Sequence, residues 1–134
     1  MSESQVNPDD LSVEQIEDNP WGEPPPGSTR LVESVHRLRR RPVRDLEPED
    51  LRVLISQQVG LDPLVPRVLT QLEVDPLLEG DFYPGDVLVA VLKVPAAYWS
   101  AHPDQRTRLE RVIASVDEPD LKADIETFHA ANPM

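Results

Sequence analysis

Fifteen prolines fall in a chain of 134 residues, and that density limits what the chain can fold into. A proline inside a helix costs about 3 kcal/mol or more, whereas one in the first turn costs little, because the amide it lacks would have no partner there. Only short elements can survive such punctuation, with most of the prolines at helix starts. Aromatic residues make up 4% of the chain, while Leu and Val dominate the apolar set, so any core is aliphatic. That combination predicts an all-α fold, a compact single-domain bundle of about six short helices.

Residues 1–27 carry seven acidic side chains, no Lys or Arg, and Pro20, Pro24, Pro25 and Pro26. So little apolar surface cannot offset the ordering entropy of the segment. A flexible, partly disordered acidic and Pro-rich tail is expected over 1–27, mobile to about residue 18, with Trp21 able to dock back. The helical domain then covers 28–134. Ser28 is the expected cap of a first helix carrying Leu31, Val35 and Leu38, closed by Pro42. A second runs from Leu46-Glu47-Pro48 to Gly60 with Leu51, Leu54, Ile55 and Val59 as its stripe. Asp62-Pro63 opens a third, with Pro66 in its first turn. Residues 75–85 read as an ordered loop. Asp86 is expected to cap the next helix, with Val87, Leu88, Val91 and Leu92 as its apolar face. A single turn presents Tyr98 and Trp99, Pro103-Asp104 opens another helix, and Glu118-Pro119 the last.

Charge narrows the function. Thirteen basic against 25 acidic residues leave a net charge of -12, which repels nucleic acid and anionic membranes and favours a basic partner. There is no cysteine, hence no disulfide framework and no thiolate chemistry. The acidic start suits no signal peptide, and no apolar run approaches a membrane span, so a cytoplasmic protein is expected. His36, His102 and His129 lack metal-ligand spacing, no serine sits in a nucleophile elbow, and the glycines build no phosphate loop. The reading is therefore of a non-enzyme without cofactor or metal. Arg37, Arg39, Arg40, Arg41 and Arg44 form a basic patch whose expected role is pairing with Glu47, Glu49 or Asp50 and compensating a helix C-terminus. Arg52, Gln57 and Gln58 are expected in an internal polar network. Glu79, Asp81 and Tyr83 stand out as a charged contact surface in the 79–86 loop, with Asp86 a cap and Phe82 in the core. A calcium site there lacks the alternating register of an EF-hand.

Several spaced motifs carry a family likeness: Trp21-Gly22-Glu23-Pro24-Pro25, Leu38-Arg39, Glu49-Asp50-Leu51-Arg52, Gln57, Gly60-Leu61, Asp75-Pro76-Leu77-Leu78-Glu79-Gly80-Asp81, Tyr83-Pro84-Gly85-Asp86 and Trp99. Together they resemble the contact-dependent growth inhibition (CDI) immunity proteins over roughly residues 20 to 100. The resemblance implies a small helical protein that binds and neutralises the toxic C-terminal domain of a cognate polymorphic toxin, commonly a nuclease. Charge complementarity adds a mechanism, an acidic surface blocking a basic active site. The expected toxin contacts are Glu79, Asp81 and Tyr83, then Glu47, Glu49 and Asp50, on a monomer. Two other readings stand beside it: an acidic adaptor or regulator that binds another cytoplasmic protein, and a metal-dependent enzyme built on the 79–86 loop.

Overall fold

A computed structural model describes residues 7–133, so the mobility expected for residues 1–6 lies outside the described residues. Contacts divide the chain into two units, Met1–Glu47 and Pro48–Met134. The expected boundary after residue 27 thus falls inside the first unit.

In the first unit, a 3-10 turn at Pro8–Asp10 leads into helix α1 (Val13–Glu17), and helix α2 (Arg30–Arg39) leads into a second turn at Val43–Asp45. Nothing in the composition had announced α1. Its start is fixed by a reciprocal capping box. The Ser12 hydroxyl accepts the Gln15 amide at 3.2 Å, and the Gln15 side chain accepts the Ser12 amide at 2.9 Å; such a cap contributes about 1 kcal/mol. Val13 is fully buried, and the Val43 amide donates to the Leu11 carbonyl at 2.8 Å. Thr29, not Ser28, caps α2, accepting the Val32 amide at 3.2 Å, while the Ser28 hydroxyl donates to the Pro25 carbonyl. Val35 and Leu38 are buried as expected; Leu31 remains 44% exposed.

The second unit holds α3 (Pro48–Ser56), α4 (Leu61–Val74), α5 (Asp86–Leu92), α6 (Ala96–Ala101), α7 (Pro103–Ala114) and α8 (Lys122–Ala131). Its centre is α5, which packs on α3 and α8. All seven of its residues are buried, so it lies inside with no solvated face, as a helix apolar all round must. Fully burying Val87, Leu88 and Val91 contributes about 1.5–3 kcal/mol each. Around it α4 packs on α3 and α7, and α6 on α7. Trp99 is buried and donates its indole N–H to the Val94 carbonyl at 3.2 Å. Burial, with the charge of Asp62 adding to it, pushes the Tyr98 hydroxyl up to about 12.

Two element ends differ from expectation. Helix α3 stops at Ser56, because Gln58 takes the left-handed conformation (φ +58°) and the Val59 amide reaches back to the Leu54 carbonyl at 2.9 Å. This is a Schellman closure, and it leaves Gly60 (φ +69°) to open α4. Pro66 is the sixth residue of α4, beyond the first turn, so the helix runs through it at the loss of one backbone hydrogen bond. Among the described residues there is no strand, only isolated bridges at Ser12–Pro42 and Glu79–Pro84. The fold is all-α, with α1 and α6 added to the six helices expected.

Candidate functional site

Between α4 and α5 the chain makes a loop closed on itself: the Gly85 amide donates to the Leu77 carbonyl at 3.1 Å, and Glu79 bridges Pro84. Two carboxylates hold its tip. Asp86 accepts the Gly80 amide at 2.6 Å on one oxygen and the Phe82 amide at 3.0 Å on the other. Glu49, from the first turn of α3, accepts the amide between them, that of Asp81, at 2.9 Å. Three consecutive backbone donors are thus satisfied by charge-assisted bonds, the stronger kind.

Asp86 therefore does not cap α5, as the sequence had suggested. Gly85 occupies the cap position with φ +92° and no side-chain bond, and the buried Asp86 side chain turns back to the loop. The glycines follow from this geometry. A Cβ at Gly80 would meet a Glu49 carboxylate oxygen at 2.6 Å, and one at Gly85 would meet the Leu121 side chain at 2.8 Å.

Arg52, one turn along α3, completes the clamp. Its Nε and Nη2 donate to the two oxygens of Glu49 at 2.7 and 2.6 Å. The Arg52 hydrogen bonds, aided by the Asp81 amide, hold the Glu49 carboxyl below its ordinary range against the opposing effect of burial. The guanidinium also lies over the Phe82 ring, 4.6 Å from its centroid. Arg52 was expected in an internal network with Gln57 and Gln58. It instead reaches the loop, and both glutamines are exposed.

What the loop presents outward is Glu79, Asp81, Phe82 and Tyr83, all exposed. Among the described residues, neither the Glu79 nor the Asp81 carboxylate has a hydrogen bond or ion pair. Phe82, expected in the core, is 67% exposed and Tyr83 43%; burial, with Asp124 and Asp86 adding to it, raises the Tyr83 hydroxyl above its ordinary value. The cavity beside them, lined by Arg52, Ser56, Val89 and Lys93 among others, has a volume of about 120 Å³. Small-molecule sites usually measure about 300–1,000 Å³, so this surface suits side chains of a protein better than a metabolite. Of the second group of expected contacts, Glu49 is spent on the loop, Asp50 is half-buried in the first turn of α3, and Glu47 is exposed at the end of the first unit. Sequence reasoning missed Phe82. Its position between Asp81 and Tyr83 in a Gly- and Pro-bounded loop was the available signal.

The arginine patch of the first unit is built differently. Arg39 is fully buried; its Nη2 donates to Glu17 and to the Asn19 carbonyl, both at 2.9 Å, and its guanidinium lies 4.0 Å over the Trp21 ring. Arg40 pairs with Glu23 at 3.2 Å and Arg44 with Asp10 at 2.6 Å. These pairs run to acids of the 7–27 segment rather than to Glu49, which takes Arg52. Among the described residues no three His, Asp or Glu side chains form a group that could hold a metal ion, and no helix is long and apolar enough to cross a membrane.

The clamped loop offers exposed acidic and aromatic side chains on a fixed backbone, a surface suited to contact with another macromolecule. The family model described as CDI immunity proteins matches residues 15–109, and the chain belongs to that family. Both clamps lie within the matched residues, as does the loop. No curated protein matches the chain. Membership carries the family's role, neutralisation of a cognate toxin by binding it.

Proposed function

We propose that this chain neutralises a nuclease toxin domain in the cytoplasm, as a monomer without catalysis or cofactor, by laying the 79–83 loop against the toxin's basic active-site surface. Glu79 and Asp81 supply the charge and Tyr83 contact area. Glu49 acts at one remove by holding the Asp81 backbone, and Asp50 and Glu47 are the acids next in line. The observation that carries the reading is that the Glu79 and Asp81 carboxylates stand exposed, without a hydrogen bond or salt bridge among the described residues, on a loop whose backbone is tied at three successive amides. Charge that is not neutralised internally is available to a partner, and a preorganised loop loses little entropy on binding. A nuclease must hold phosphates, so its active site offers the complementary sign. The net charge of -12 opposes nucleic acid or an anionic membrane as a partner.

The test is the double substitution Glu79→Lys with Asp81→Lys. Neither carboxylate makes a hydrogen bond or salt bridge within the described fold, so stability should stay within about 0.5 kcal/mol of wild type. Association with the toxin domain should slow, more at low salt than at physiological salt, and protection of toxin-expressing cells should fall. Unchanged association and protection at both ionic strengths would remove this loop as the electrostatic contact.

A further inference from the structure

We propose that Phe82 is the anchor of this surface and that it takes an arginine side chain of the toxin on its open ring face. The proposal rests on the loop being the toxin contact and names the chemistry it recognises.

Phe82 is an unusual residue to leave in water. It is 67% exposed although one face of its ring is already covered by the Arg52 guanidinium at 4.6 Å. Nothing about the fold requires it outside, since the loop is held through backbone amides, including Phe82's own bond to Asp86 at 3.0 Å. The ring is therefore displayed on a fixed base, the arrangement in which an aromatic side chain contributes most to an interface.

The field around the ring selects the occupant. Asp81 precedes it and Glu79 lies on the same loop, both carboxylates without a hydrogen bond or salt bridge among the described residues, and Glu49, Asp86 and Asp81 all act electrostatically on the guanidinium already stacked there. Because Arg52 is itself paired with Glu49, its repulsion is offset, and a second cation over the opposite face meets the ring and the neighbouring Asp81 and Glu79 carboxylates. Arginine fits better than lysine: its plane stacks on the ring while its edge donates to carboxylates, and it sheds water more readily. Among the described residues the fold uses this pairing at Arg52 on Phe82, at Arg39 on Trp21 and, at a longer 5.9 Å, at Arg106 on Phe128.

The experiment uses the full chain and its cognate toxin domain, with Phe82→Ala, Phe82→Leu and Phe82→Trp, each checked for an unchanged melting temperature. Phe82→Ala should weaken binding about tenfold or more, chiefly through faster dissociation. Phe82→Leu, which keeps apolar bulk without a π face, should lose nearly as much, and Phe82→Trp should retain affinity. Pairing Phe82→Leu with single Arg→Lys changes across the toxin should give one arginine whose loss is strongly non-additive with that of the ring. If Phe82→Leu binds like wild type, or no arginine couples, the stacking inference is overturned. If Phe82→Ala binds normally while Glu79→Lys with Asp81→Lys is impaired, this inference falls and the loop contact stands. If neither weakens binding, both fall.

Discussion

The N-terminal unit and the loop between α4 and α5 are both held by charge, but with opposite sign. Around Arg39 one buried cation gathers the Glu17 carboxylate and the Asn19 carbonyl and stacks on the face of Trp21. Around Asp86 and Glu49 two carboxylates gather backbone N–H groups. The consequence for the surface differs. A cation-centred clasp consumes acids, and Glu17, Glu23 and Asp10 are all turned toward arginines. The carboxylate-centred clamp takes up three backbone amides and a single arginine, Arg52 on Glu49, and leaves the carboxylates of Glu79 and Asp81 without a hydrogen bond or salt bridge among the described residues. Two acid-rich segments of one chain thereby acquire different capacities, and composition alone does not distinguish them.

The comparison can be broken most sharply at Arg39. Arg39→Met should cost about 3 kcal/mol or more, the scale for breaking a buried ion pair, read as a lowered urea midpoint with Trp21 fluorescence as the local probe. Arg39→Lys should not restore it, because an ammonium cannot stack on Trp21 and reach both oxygens. Wild-type stability in Arg39→Met would show that apolar contacts, not the clasp, hold the segment.

Removing the loop's own anchor comes next. Asp86→Ala leaves the Gly80 and Phe82 amides without their acceptor and should cost about 2–3 kcal/mol, with faster hydrogen exchange at those two amides. Asp86→Asn, which keeps one acceptor oxygen, should cost less. Equal exchange rates in wild type and Asp86→Ala would mean that Glu49 and the bridge at Glu79–Pro84 suffice.

Acid should separate the clamp's members more gently. Glu49 has its carboxyl held below the ordinary value of 4.5, first by the Arg52 hydrogen bonds. A depressed folded value means that its stabilisation is fully present above the ordinary unfolded value and is lost as pH falls through the folded one. Protection of the Asp81 amide should therefore survive to below pH 4.5 and then fall, and Glu49→Gln should abolish that transition. A pH-independent Asp81 amide in wild type would detach Glu49 from the loop.

The smallest effect is expected beside the largest. Arg40 neighbours Arg39, but its side chain is 39% exposed and its partner Glu23 is 85% exposed. Arg40→Ala should change stability by less than about 1 kcal/mol and lose even that at high salt. A cost approaching that of Arg39→Met would mean that burial is not what separates the two.

Much of the candidate site was legible beforehand. Glu79, Asp81 and Tyr83 were readable as an exposed cluster because a Gly- and Pro-bounded stretch with no helical period runs over a surface. The roles of Asp86 and Phe82 were not. An aspartate before an apolar run looks like a cap whether its carboxylate turns to its own helix or to a loop six residues back. An aromatic ring counts as core until its neighbours are known. Helix α1 escaped notice for a related reason: five residues offer too short a window for a period, and only the Ser12–Gln15 exchange marks its start.

By itself the sequence determined the all-α class, the proline-set starts of α3 and α7, the apolar face of α5 and the acidic balance. These follow from backbone chemistry and apolar spacing acting over a few residues. Only the tertiary structure decided which acids are spent and which are free, that Gln58 rather than Gly60 ends α3, and that Phe82 faces water. Each depends on which groups meet across long stretches of chain, as when Glu49 meets the amide of Asp81. A charged side chain's part is set by whether a partner reaches it before solvent does, and local sequence does not encode that distance.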